Sequence, residues 1–196
     1  MRHLKLIVVD EACYLYCMMD TRFNMIYEKE THMKKSLNLV RQVISQVQNQ
    51  DVTCVTSEPY NSEYESLTFL INNISVRSRL AKKTPTKAGY FVVAWEKDNH
   101  DNNKPFDYQD SPDLLMITVI DNDKKGQFIF PKDILENKKI LRSPTSKGKM
   151  AFRVYPTWVN TLNKTALNTQ RWQQEYFIDL STDMAMDKIK KLLYLY

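Results

Sequence analysis

Several carboxylates stand where they could do chemistry. Glu63 and Glu65 lie in "NSEYESL", Asp107 and Asp110 in "PFDYQD", and Asp113 follows Ser-Pro directly before the apolar run "LLMITVI". A Pro-Asp at the mouth of a strand, joined by an acid and a lysine two residues apart on a neighbouring strand, can hold a divalent cation and polarise an attacking water. The first half of that pattern is present. The downstream strand reads "GQFIFPK", where Phe130 and not an acid stands two residues before Lys132. On the earlier hairpin, "VRSRLAK" puts Arg77 and Arg79 where an acid and a lysine would be needed, and a guanidinium repels a metal ion. Glu65, Asp107, Asp113 and Lys132 therefore read as vestigial candidates for catalysis, and no metal site is assigned. Most of these acids are expected to cap turns and to pair with the surplus lysines.

The basic residues are regional. Residues 75–105 carry seven of them against three acids, and residues 124–153 carry nine against two, in a chain of net charge +5 and pI about 9.0. Such a distribution attracts polyanions over long range. Arg77, Arg79, Lys82, Lys83, Lys87, Lys132, Lys149 and Arg153 are the candidate phosphate contacts. Trp158, after a Tyr-Pro-Thr turn, is the candidate for stacking a base, with Tyr90, Tyr155 and Trp172 as further aromatics, whereas Trp95 lies in an apolar strand and is expected to be buried. The partner implied is nucleic acid, DNA or RNA.

Other chemistries find little support. The three glycines, at 89, 126 and 148, are too far apart for a phosphate-binding loop. Three histidines leave few places for a His-based general base, and Cys13 and Cys17 near His3 lack the second pair that a zinc set requires. Three cysteines without framework spacing suit a reducing, cytoplasmic compartment. No apolar run approaches the roughly 20 residues that span a bilayer, so no membrane association is expected. Asp10 and Glu11 interrupt the apolar opening, and no small-residue cleavage site follows.

The elements that must position these residues describe one α/β domain. Leu37, Val40, Ile44 and Val47 recur at helical spacing and predict an amphipathic helix of roughly 14 residues that caps a sheet. "SLTFLINNISVRSRLAK" reads as two strands about Asn72-Asn73, "YFVVAWEK" as a third, and "LLMITVI" and "QFIF" as two more joined by "DNDKKG". Pro131 suits the first position of a short helix, "MAFRVYP" reads as a last strand, and "TALNTQRWQQEYFIDL" as a helix with Leu167, Trp172 and Tyr176 on its apolar side. This order predicts a mixed central sheet flanked by helices. Residues 1–32 hold neither Gly nor Pro and precede a second plausible start at Met33; they read as an extension that is dispensable for the domain over 33–196.

The phrases "EYESLTFLINNISVRSRLAKKTPTKAGYFVVAW", "KPFDYQDSPDLLMITV", "GQFIFPKDIL", "KMAFRVYPTW" and "NTQRWQQEYFIDL", in this order, resemble the MepB-like family over roughly residues 34–180. The resemblance implies a restriction-endonuclease-like core of the PD-(D/E)xK superfamily, and a gene context beside a multidrug efflux transporter that points to drug response. The expected function is nucleic-acid binding on a nuclease-like scaffold with a degenerate catalytic motif, with a preference for single strands or RNA since no duplex-reading motif is visible. One alternative is an active nuclease with migrated ligands, in which Asp113 is joined by Asp107 or Glu65, Lys132 or Lys82 orients water, and Mg²⁺ or Mn²⁺ is required. Another is a regulatory module that binds an acidic protein partner.

Overall fold

The computed structural model describes residues 34–47, 50–182 and 186–193. The expectation of an extension over 1–32 lies outside them. In chain order the elements are α1 (Lys35–Ile44), β1 (Val52–Ser57), β2 (Leu67–Ile71), β3 (Ile74–Leu80), β4 (Lys82–Lys83), β5 (Tyr90–Val93), β6 (Trp95–Lys97), β7 (Asn103–Pro105), β8 (Leu114–Asp121) and β9 (Lys124–Pro131). They continue with α2 (Lys132–Asn137), β10 (Arg142–Ser143), β11 (Ser146–Lys147), β12 (Ala151–Val154), α3 (Lys164–Gln173), β13 (Phe177–Asp179) and α4 (Met186–Leu193).

The central sheet has six strands in the order β1-β2-β3-β8-β9-β13. It is mixed, as expected: β3 and β8 run parallel and the other neighbours antiparallel. Both faces are covered, and the twofold alternation of the strands divides their side chains between two cores. Leu67, Phe69, Val76, Leu114, Met116, Ile129 and Ile178 pack on one face against α1 and α4. Leu115, Ile117, Val119, Phe128, Phe130 and Phe177 pack on the other, beneath Tyr90, Val92 and Val154 of a smaller β12-β5-β4 sheet and Leu135 of α2. The predicted apolar stripe of α1 is fully buried, Val47 included. No helix among the described residues is long and apolar enough to cross a membrane.

Four local differences from the sequence expectations have physical causes. "YFVVAWEK" is two strands, because Ala94 donates to the Met150 carbonyl and accepts from the Phe106 N–H, which carries the chain out of the small sheet into the β6-β7 ribbon. The β8-β9 ladder runs to the Asp121–Lys124 pair, leaving a tight turn at Asn122, whose φ of 55° an asparagine tolerates. Pro131 precedes α2 as its extended cap and is not its first residue. The helical reading of "TALNTQRWQQEYFIDL" holds through Gln173 and a closing 3₁₀ turn over Gln174–Tyr176, but Phe177 and Ile178 alternate between the two cores as β13 on the edge of β9, and Leu167 is exposed.

Candidate nucleic-acid interface

Arg77 and Arg79 do not face solvent, which corrects their assignment as phosphate contacts. Paired in register with Leu115 and Ile117 of β8, they share the face that packs under the small sheet. Their side chains are 7% and 1% exposed. Two buried guanidinium groups are tolerable only with partners. Arg77 Nε donates to Glu58 Oε1 at 2.9 Å and its Nη2 to Glu96 Oε2 at 3.3 Å, with the guanidinium 3.9 Å above the Phe106 ring. Arg79 pairs with the other Glu58 oxygen, donates to the Ser78 carbonyl at 2.9 Å, and has its guanidinium 5.3 Å from the Phe106 ring. Burial pushes the Arg79 guanidinium below its ordinary value, against the pull of Glu58. Lys104 closes the cluster at 3.0 Å from Glu96. Glu58 and Glu96 were not singled out in the sequence; no local pattern marks a carboxylate that will meet a strand arginine across the sheet.

Of the other candidates, Lys83, Lys87 and Trp158 line one cavity, whereas Lys82 and Lys132 are not in its lining. Lys82 pairs with Glu63 at 2.9 Å and lies over the Tyr64 ring, and Lys83 pairs with Asp121 at 2.9 Å. Lys132 sits 5.4 Å from the Tyr108 ring centre, and Lys87 is exposed on the 84–89 loop. Trp158 is half-buried against Phe177, and its Nε1 donates to the Tyr90 hydroxyl at 3.0 Å, so it is a core-edge residue and not a free stacking platform. Tyr90 and Tyr155 are buried, and Trp95 is half-buried.

The vestigial acids each serve the fold. The Glu65 carboxylate accepts the N–H groups of Lys35 and Ser36 at 3.2 and 2.8 Å, so it caps α1, where Lys34 offers no side-chain cap. Asp113 Oδ2 accepts from the N–H and hydroxyl of Ser75 at 2.9 and 2.6 Å, which ties the starts of the parallel pair β3 and β8 together. Asp107 receives two hydrogen bonds from Arg142, at 2.9 and 2.7 Å. Burial raises the Asp107 carboxyl, but Arg142 and the Gln109 N–H outweigh it and hold it below the usual carboxylate range. Among the described residues no three His, Cys, Asp or Glu side chains converge as metal ligands.

One cavity gathers cations and aromatics with no acid among them. A cavity of about 310 Å³ opens between β12, α3 and the segment after α2, lined by Lys138, Lys149, Arg153, Phe152, Trp172 and Gln173 with four further residues, and no carboxylate is in that lining. Gln173 is fully buried and locks α3 to the end of β12: its Oε1 accepts from the Tyr155 N–H and its Nε2 donates to the Arg153 carbonyl, each at 2.9 Å. Buried Phe130 supports the aromatic wall from below, 5.4 Å from Trp172 and 6.4 Å from Phe152. The Lys138 ammonium lies 5.3 Å from the Trp172 ring. Lys138 and Lys149 are exposed, whereas Arg153 is half-buried and spends its guanidinium on the 84–89 loop. Of the predicted contacts, Lys149 and Arg153 meet here. Lys138 lies in the basic stretch 124–153 but is not among the candidate phosphate contacts, whereas Trp172 is one of the aromatics read from the sequence as able to stack a base.

The MepB-like family matches residues 58–179. The crystal structure of MepB is 48% identical in sequence, superposes with a TM-score of 0.68, and is covered over 100% of its length by 77% of this chain. A bacterial homing endonuclease is 12% identical with a TM-score of 0.39, over 69% of this chain and 84% of the other. No curated protein matches. With a family match over most of its length and a solved relative at this identity, the chain belongs to the MepB-like family.

Proposed function

We propose that the protein binds nucleic acid, single-stranded in preference to duplex, through the cavity between β12 and α3, without cleaving it. The observation that carries the reading is the composition of that lining: Lys138, Lys149 and Arg153 with Phe152 and Trp172, and no acid. Ammonium groups supply sequence-independent attraction to phosphate, and aromatic surfaces beside them take unstacked bases at about 1 to 3 kcal/mol each. A duplex keeps its base faces stacked inside, where these rings do not reach. Lys138 and Lys149 make the contacts, and Arg153 contributes field from its fixed position. The engaged state of Glu65, Asp107 and Asp113 supports binding over metal-assisted hydrolysis. The family's implied link to efflux and drug response fits a nucleic-acid-directed role.

Fluorescence anisotropy with labelled oligothymidylate, oligouridylate and a duplex, at rising salt, tests this. Each phosphate neutralised on a single strand contributes about 0.7 to the slope of log K against log salt. The double variant Lys138→Ala, Lys149→Ala is expected to lower that slope by about 1.4. Trp172→Leu is expected to weaken binding at every salt concentration without changing the slope. Absence of affinity for all three probes at low salt, or an unchanged slope in the double variant, overturns the reading.

A further inference from the structure

We propose that the 84–89 loop is a second, phosphate-binding site, built on the far side of the Arg153 guanidinium from the aromatic cavity. Arg153 Nη1 donates toward the carbonyls of Lys87, Ala88 and Gly89 at 3.3, 3.2 and 3.1 Å, and its Nη2 donates to the Thr84 hydroxyl at 2.6 Å. In a planar trans peptide the carbonyl and the following N–H point in opposite directions. Turning the Lys87 and Ala88 carbonyls toward Arg153 therefore turns the N–H groups of Ala88 and Gly89 away from it. Neither N–H has a backbone or side-chain acceptor among the described residues. Gly89 makes the turn with a φ of +76°, and a Cβ there would come within 2.5 Å of the Tyr155 ring.

The side to which these donors turn is a larger cavity of about 680 Å³, lined by Lys87, Ala88 and Gly89 but not by Arg153. Lys87 has no carboxylate partner among the described residues, and Lys124 lies across the same cavity. Of the two acids in this lining, Asp121 is already taken up by Lys83 at 2.9 Å and by the Tyr90 hydroxyl at 2.7 Å, and Asp123 stands beside Lys124 on the β8-β9 turn. Successive outward N–H groups beside the Lys87 ammonium form an anion receptor, and the dimensions admit a phosphate with its ester substituent. The ligand class is a phosphate group, borne by a strand that continues from the aromatic cavity or by a free phosphate compound. The site stands on the loop geometry alone; only its joining to a bound strand rests on the function proposed above.

Backbone amide NMR of the full chain tests it. Titration with inorganic phosphate is expected to move the Ala88 and Gly89 amide resonances saturably, while chloride at matched ionic strength leaves them in place. Lys87→Gln is expected to weaken the phosphate response about tenfold, the worth of one charge-assisted hydrogen bond of about 1.4 kcal/mol. Ala88→Pro removes one donor and should weaken it further. If Ala88 is unfavourable for proline and that variant fails to fold, Lys87→Gln still decides. Oligothymidylate with and without a 5′-phosphate separates the sources: a response to both marks an internal phosphodiester, a response only to the phosphorylated form marks a chain end, and a response to inorganic phosphate alone marks a free ligand. No saturable change at these amides with any probe, or a phosphate response unaltered by Lys87→Gln, overturns the proposal. The Lys138→Ala, Lys149→Ala variant keeps the two readings apart, because it weakens strand binding at the aromatic cavity and leaves the inorganic phosphate response at the loop intact.

Discussion

Removing Glu58 tests whether the two strand arginines belong to the fold and not to ligand binding. Glu58 is 17% exposed and serves both guanidinium groups, Arg77 at 2.9 Å and Arg79 through its other oxygen. In Glu58→Gln, Arg77 keeps Glu96 at 3.3 Å and its place over Phe106, but Arg79, 1% exposed and already with an unpartnered Nε, keeps only the Ser78 carbonyl. Breaking a buried pair from one side costs about 3 to 5 kcal/mol, and the retained amide oxygen places the expected loss near the lower figure. Glu96→Gln, with Arg77 still held by Glu58 and Lys104 left with Asp110 at 3.9 Å, is expected to cost about 1 to 2 kcal/mol. For a domain of this size the first substitution lowers Tm by roughly 10 °C. Urea unfolding followed by far-ultraviolet circular dichroism measures both losses, with m unchanged if the denatured states match. Adding Arg79→Met to Glu58→Gln removes the stranded charge, so the double variant should be more stable than the sum of the single losses by at least about 1 kcal/mol. A Glu58→Gln protein within 1 kcal/mol of the parent (about one ordinary hydrogen bond), or strict additivity with Arg79→Met, refutes the reasoning. The same folded variant should keep the parent's salt dependence of oligonucleotide binding; a reduced slope would return the arginines to the binding surface.

Two other outcomes follow from single contacts. Glu65→Ala deprives α1 of its cap, and the unsatisfied N–H groups of Lys35 and Ser36 are expected to cost about 1 to 2 kcal/mol in thermal or urea unfolding, with Glu65→Gln recovering part of it. Burial and the hydrogen bond to Asp121 push the Tyr90 hydroxyl from its ordinary 10.0 up to about 12, so the folded state prefers it neutral: its contribution to stability is complete below pH 10 and is lost as the pH rises through 12. Difference titration of tyrosinate absorbance between the parent and Tyr90→Phe should show that one group ionising late, and an ionisation near 10 would contradict the contact.

Much of the architecture was legible in the residues. The stripe from Leu37 to Val47, the Asn72-Asn73 turn and the long apolar runs of β8 and β9 carry their own periods, because burial on one helix face or both sheet faces imposes a spacing that survives in the chain. β13 was lost inside a helical reading because its identity comes from the free edge of β9, a partner far off in the chain, which overrides the propensity of the preceding glutamines.

The candidate site divides along the same physical line. Residue types alone determined that positive charge is regional and that the acid-and-lysine pattern for a metal is incomplete, since both are properties of local composition and spacing. Which cations remain available was decided only by tertiary structure. Arg77 and Arg79 point to the buried face because strand alternation and pairing with β8 place them there, and Glu58 makes that burial tolerable from a position 19 residues away from Arg77. Lys138, Lys149 and Trp172 become neighbours because Gln173 docks α3 on β12, a contact between segments that no window along the chain contains.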